Sequence, residues 1–585
     1  MMTIYPSARS TVALLFVLAA IATIAIGAAA VRAEDADEPT AVTMRGAAGE
    51  NWRFVGGAWQ QNDAGVITPS VNQVDNDLAF YTPQAYQDFE ARFEFRWNGH
   101  WTAAGFIFRA QDARHYYIVE FPATGQHTRA EHFWVTVSKV DESGWREILH
   151  MQMVHGISSV PRIWHKAKVQ VQGHKIRVWV DGRPVSVIED KTYQAPGYIG
   201  LASYNCLGRK QKSSFRKLTI SGQAIQAAAW NGPVRPLRNW GVVDNKNGSA
   251  CTNIGRAGNR DLLTYSSRRL LRSSDNGQTW NADEQKTAIP DSNPYRFRSL
   301  PDGLLERYRN TDRLPFKILK SISQDDGRTW SEAREVAEVT FPPEMPFKSF
   351  CGSKLLETKA GTLLFFAWAR SGFELEVLGG RAYQAAPLPW SQSYCLRSTD
   401  GGESWSDPVN IDGGPDPAVE IDGYEQYGKD EFNEVSAAQT RDGQILALIR
   451  PIHSPFMWET WSDDDGQSWT PAARGPFPLY ACTNAIVSTS SGVLLVGGRF
   501  PGLTVQASYD NGMSWQGYVI DTCGWANGAM YEIEPDVVLF VYGGWEKPRQ
   551  LRYQILRVTP EGLKSGKVVR FVSDVNLQSA DSLPR

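Results

Sequence analysis

The chain has 585 residues and nearly balanced charge, 60 Lys and Arg against 63 Asp and Glu. A net charge of −3 without a basic stripe gives no footprint for nucleic acid, and 42% hydrophobic residues exclude intrinsic disorder. Trp at 21 copies and Gly at 51, with few helical patterns, point to an all-β protein of short strands and tight turns.

Arg9 precedes an apolar run from Val12 to Ala30, and Val31-Arg32-Ala33 then leads into an acidic stretch, Glu34 to Glu38. The pattern predicts a secretory signal over residues 1–33 and an exported protein, secreted or periplasmic. The run is also long enough to serve as an uncleaved N-terminal membrane anchor; no other stretch is. Six Cys lie beyond it: Cys206, Cys251, Cys351, Cys395, Cys482 and Cys523. An even number in an exported chain permits disulfides without making a disulfide scaffold. Cys251, Cys351, Cys482 and Cys523 each precede or open a strand pattern, which could gather thiols near one axis. With no Cys-x-x-Cys and no paired His spacing, no metal site and no organic cofactor is expected.

Residues 45–222 alternate with period two, as in Phe89-Glu90-Ala91-Arg92-Phe93-Glu94-Phe95 and Ile176-Arg177-Val178-Trp179-Val180, with Gly and Asp at the turns. This predicts an antiparallel β-sandwich. The segments GFIFRAQD at 105–112, VWVDGRPV at 178–185 and GYIGLASY at 197–204 resemble laminin-G-like (concanavalin-like) jelly rolls, including the 3-keto-disaccharide hydrolase type. The resemblance implies either carbohydrate binding or a spacer that props a second unit. An Ala- and Pro-containing stretch, 223–236, reads as a linker, and that second unit runs over 237–575.

In the second unit the motif Ser-x-Asp-x-Gly-x-(Thr/Ser)-Trp recurs five times, beginning at Ser273, Ser323, Ser398, Ser462 and Ser508. The starts lie 50, 75, 64 and 46 residues apart, a propeller-like period. The chemistry is that of a hairpin turn: Asp accepts backbone N–H bonds, Gly takes a positive φ and Trp packs beneath. An enzyme has one site, so five repeated carboxylates are read as structural. The length predicts six blades, each a small antiparallel sheet.

These Asp boxes resemble the sialidase (neuraminidase) superfamily. The resemblance implies three Arg that grip a sugar carboxylate, an Asp proton donor and a Tyr nucleophile activated by Glu, since a carboxylate nucleophile would repel the substrate's own. Glu434 in Asn433-Glu434-Val435, followed by Asp442-Gly443 and then by Arg450 after 16 residues, matches the Glu and second Arg. Arg499 before Leu503-Thr504-Val505 and the last box matches the third. Arg296 takes the first position, although Phe-Arg replaces Ile-Pro and Arg298 is an alternative on the same strand face. Asp312 matches the acid. The Tyr is the departure: alignment puts Asn527 in its place, Tyr531 is too far along the strand, and Tyr424 and Tyr427 precede Glu434 as replacements. Three readings are open: a sialidase-type glycoside hydrolase acting on terminal acidic sugars of glycans, a hydrolase or lyase on other acidic polysaccharides, or a non-catalytic sugar-binding propeller. Without a Tyr at 527 the hydrolase would recruit another Tyr or let Glu434 activate water directly.

Overall fold

The computed structural model describes residues 39–44, 51–70, 76–123, 133–206, 210–227, 230, 239–244, 253–266, 269–282, 295–343, 345, 347–371, 376–378, 381–383, 391–413, 432–451, 456–478, 485–544 and 549–566. The expected signal segment, Cys251, Cys482, Tyr424 and Tyr427 lie outside them. No helix occurs among the described residues, so none is long and apolar enough to cross a membrane.

The alternation over 51–221 folds as two antiparallel sheets. One carries Arg183–Glu189, Lys175–Val180, His165–Gln172, Phe89–Trp97, Ser213–Ser221, Ile67–Pro69 and Trp59–Gln61 in that order. The other carries Ala224–Gln226, Asp77–Tyr86, Gly197–Asn205, Thr102–Ala110, Tyr116–Pro122, Phe133–Val140 and Arg146–Val154. Every second residue points inward, so Phe93, Phe95, Phe106, Phe121 and Phe215 share one aromatic core, with Phe95 stacked on Phe121 at 4.5 Å between ring centroids. The stretch read as a linker opens with a strand: Ala224–Gln226 pairs with Gln84, Ala85 and Tyr86.

The second unit is a ring of antiparallel sheets, four-stranded except the closing one, to which Gly562–Ser565 adds a fifth strand. Its inner strands are Ile254–Arg256, Arg296–Ser299, Phe347–Glu357, Phe432–Gln439, Ile486–Ser488 and Gly524–Glu534, each beside the next and the last beside the first. These strands number six, and we call their sheets blades I to VI. Five of the sheets are separate; the strands of blade V, ending with Gln516–Asp521, continue into the sandwich. In blade VI the strand Gly241–Asp244, from the front of the unit, pairs with Leu551–Thr559 from its end and so closes the ring.

The boxes make the turns between third and fourth strands. In the first, Asp275 accepts Thr279 N at 2.9 Å, Thr279 Oγ1 at 2.6 Å and Ser273 Oγ at 2.8 Å. Asn276 and Gly277 both have positive φ, 55° and 87°, the mirror-image turn that suits twisted strands. The indole of Trp280 donates to the Gly277 carbonyl. The other four boxes repeat the Ser-Asp and Asp-Ser/Thr bonds, so these carboxylates are consumed within their own turns.

The sandwich is mounted on blades V and VI. Arg146 and Glu147 pair with Val519 and Tyr518, making one hydrogen-bonded sheet across both units. Trp145 Nε1 donates to Gln554 Oε1 at 2.9 Å, and Tyr204 OH to the Pro501 carbonyl at 2.8 Å. Trp101, Trp134 and Phe500 bury one another at the junction.

Candidate active site

Chain direction gathers the candidate residues. The boxes mark one face of the propeller. At the opposite face inner strands begin, and loops join second to third strands. Arg296 and Glu434 lie at inner-strand starts, Asp312 in the loop after Leu305–Asn310, Arg450 at the end of Ile445–Pro451, and Arg499 just after Leu494–Gly498.

Glu434 sits in a bulge. Pairing between Phe432–Gln439 and Ile445–Pro451 slips between Asn433 and Ser436, and Glu434 has φ +43°, a left-handed conformation that a Glu adopts at a cost of about 1–3 kcal/mol. The bulge aims its carboxylate at Arg450, whose Nη1 donates to Oε2 at 2.5 Å. Both side chains remain partly open, 19% and 28% exposed. Among the described residues Arg450 makes no second ion pair.

Arg296 is the residue expected at the first carboxylate-binding position. It is 1% exposed, and its Nη2 donates to the Gly352 carbonyl beneath the mouth. Its guanidinium lies 5.2 Å from the Phe365 ring, and burial pushes it down to about 10, still cationic at neutral pH. Asn310 completes this latch: Nδ2 donates to the Phe350 carbonyl at 2.6 Å and Oδ1 accepts Gly352 N at 3.0 Å. Arg296 therefore braces blade III against blade II instead of meeting solvent. Arg298 is no substitute, since Glu306 holds it at 3.0 Å and Glu357 at 2.7 Å.

The Cys351 thiol shows which groups converge. Burial pushes it up to about 11; Arg370 and Arg296 pull it down, and Asp312 and Glu434 push it up. All four groups lie within electrostatic reach of this one sulfur. The main-chain carbonyl of Asp312 also accepts Phe350 N, tying its loop to the same strand. Cys351 is a free thiol, as are Cys206, Cys395 and Cys523, so these four form no disulfide.

No motif marks Arg370. It lies at the end of Leu363–Ser371, with its guanidinium 4.1 Å over the Trp368 ring. Trp368 is the register partner of Cys351, and Arg370 that of Ser349. The signal was the alternation Ala367-Trp368-Ala369-Arg370: the alanines are buried, and the Trp and Arg stand half-buried on the other face. Asn527 belongs to Gly524–Glu534, in the irregular stretch between Trp525 and Ala529. Tyr531, further along, keeps company with Arg256, 5.6 Å from its ring, and lies toward the Asp-box face. Among the described residues no group of His, Cys, Asp and Glu is arranged to hold a metal.

Residues 43–221 match the 3-keto-alpha-glucoside-1,2-lyase-like domain family, and residues 309–521 the BNR repeat-like domain family. No curated protein matches the chain. Among solved structures, a Hadza microbial sialidase aligns at 14% identity over 83% of this chain and 95% of its own, with TM-score 0.41. A Penicillium chrysogenum alpha-L-arabinanase aligns at 15% identity over 55% of this chain and 98% of its own, TM-score 0.39. A Bacillus subtilis carbohydrate-binding module aligns at 16% identity over 29% of this chain and 96% of its own, TM-score 0.24. The chain thus joins a 3-keto-alpha-glucoside-1,2-lyase-like β-sandwich to an Asp-box β-propeller of BNR repeats.

Proposed function

We propose that the protein is a glycoside hydrolase acting on acidic sugars, of sialidase type, with its site on the propeller face opposite the Asp boxes. The observation that carries this is the Glu434–Arg450 pair, held by a strained bulge and partly open to solvent. A carboxylate-bearing sugar needs planar cations, and Arg450, Arg499 and Arg370 supply them from neighbouring blades. Arg296 supports the strand that carries Cys351.

Asp312 is the proton donor and Glu434 the base. Glu434 takes a proton from water as the water oxygen bonds the anomeric carbon. The glycosidic C–O bond breaks, and Asp312 protonates the departing oxygen. This route inverts the anomeric centre and needs no Tyr at 527. A Tyr nucleophile from 424 or 427 would instead retain it.

A longer acidic polysaccharide is the second reading, favoured by the sandwich. Phe500, next to Arg499, packs on Trp134 at 5.6 Å between ring centroids, which sets the sandwich against the rim of the face. The test is hydrolysis of a fluorogenic α-sialoside and of uronic-acid polysaccharides, with Glu434→Gln and Arg450→Ala as controls. Product release abolished by both substitutions supports the assignment, and the substrate cleaved separates the two readings. Tight sugar binding without release in the intact protein would leave a lectin-like propeller and refute the hydrolase.

A further inference from the structure

Toward the propeller axis lies a cavity whose lining includes none of Glu434, Arg450, Arg370 and Asp312. It is a half-open recess of about 360 Å³, lined by residues at or beside inner strands of five blades, with Lys354 among its walls. Asn253 and Tyr531 add polar groups; Phe297, Val487 and Met530 add apolar surface.

Lys354 stands partly exposed on the cavity wall. An ammonium in such a recess gains from a counter-charge. Among the described residues it makes no ion pair, and its ammonium reaches the Ile486 carbonyl at 3.4 Å. The carboxylate on the same wall, Glu532, is turned elsewhere: it accepts Ser490 N at 2.7 Å, Ser490 Oγ at 2.9 Å and Asp536 N at 2.8 Å. Burial holds the ammonium down at about 8, with no neighbouring charge acting on it.

We propose that this axial cavity is a binding site for a small monocarboxylate, whose anion pairs with Lys354. One cation matches one negative charge, whereas a phosphate dianion would stay half-neutralised. The mostly polar lining, with Phe297, Val487 and Met530 between, accepts the body of a hydroxylated organic acid, and the volume exceeds what a single water fills. A sugar acid of the kind proposed for the mouth is one such molecule, but the cavity argument stands without that reading.

The test separates cavity from mouth. Thermal unfolding and calorimetric titration with sodium D-glucuronate, against D-glucose and sodium chloride at equal ionic strength, are run on Arg450→Ala protein, in which the mouth is impaired. Glucuronate is expected to raise Tm in a concentration-dependent way, and glucose is not. Adding Lys354→Met, which keeps the length and removes the charge, weakens glucuronate binding by about tenfold or more. Without ligand the Lys354→Met chain melts no lower, since it loses an uncompensated charge. Should it melt lower, Lys354→Gln provides the comparison. No rise with glucuronate in Arg450→Ala protein, or an equal rise after the Lys354 substitution, overturns the proposal.

Discussion

Gly352→Ala tests whether the latch between blades II and III holds the site in shape. Gly352 needs no special φ; it needs room. A Cβ there would stand 2.6 Å from the Phe365 ring, 2.8 Å from Asn310 Oδ1 and 2.9 Å from the Arg296 guanidinium carbon. Phe365 is fully buried and Arg296 1% exposed, so neither can retreat to solvent. Overpacking of this kind costs about 1–3 kcal/mol. Shifting the Gly352 carbonyl away from Arg296 adds the loss of a charge-assisted hydrogen bond, about 1.5–3 kcal/mol. At about 2–4 °C per kcal/mol, Tm should fall by about 5–24 °C. The displaced strand also carries Cys351, where the site groups meet, so turnover should fall by about a hundredfold at temperatures where the variant is folded. Circular dichroism melts and initial rates on the cleaved substrate give both numbers. Ser353→Ala is the control: its buried hydroxyl has no hydrogen-bond partner among the described residues, so its loss should leave Tm unchanged or raise it. A Gly352→Ala protein with wild-type Tm and rate would refute the latch.

Glu434→Gln should lower kcat by about 10²–10⁴-fold. Its Tm should move little, because a half-exposed ion pair contributes about 0–1 kcal/mol; parallel rate and melt measurements check the contrast. Partial burial of Asp325 is outweighed by bonds from Thr329, Ser323 and Arg328 N, which hold its carboxyl at about 2. A depressed carboxylate stabilises the fold above its unfolded pKa, near 4, and loses that contribution as pH falls toward 2. Asp325→Asn should therefore lower Tm at pH 7 and flatten its decline between pH 4 and 2, as an acid series of melts would record. Cys351, pushed up from 9 to about 11, should carry about a hundredfold less thiolate than an ordinary thiol. Mass spectrometry at pH 7.5 should show slow iodoacetamide labelling, slower still in Arg370→Leu, which removes a cation that favours thiolate. Trp134→Ala, emptying the junction beside Phe500, should cost about 3–5 kcal/mol and open the chain near 500 to limited proteolysis.

The parts legible in the sequence are those set by local chemistry. An Asp box carries its own hydrogen-bond partners within a few residues, so five boxes announced the propeller. Glu434 and Arg450 belong to one hairpin, and their spacing already implied contact. The choice between Arg296 and Arg298 was not local: it rests on Gly352 and Glu357, two residues of the next blade. Arg370 and Trp368 belong to no motif, and their importance appears when Cys351 pairs beside them. The sixth blade has no box, and its closing strand, Gly241–Asp244, lies some three hundred residues from its partner. The union of sandwich and blade V is equally remote in sequence, Arg146 against Val519.

That union has a consequence for folding. A sandwich synthesised alone would end its second sheet at Arg146–Val154 with main-chain donors and acceptors unpaired. It would also expose Trp101 and Trp134, which Phe500 now covers. An open, apolar sheet margin of this kind invites pairing with another chain. Since the N-terminal unit emerges first during synthesis, it waits through about two hundred and ninety further residues for the strand at 516–521 that caps it. In the folded chain the propeller thus covers part of the very margin that an isolated sandwich would leave open.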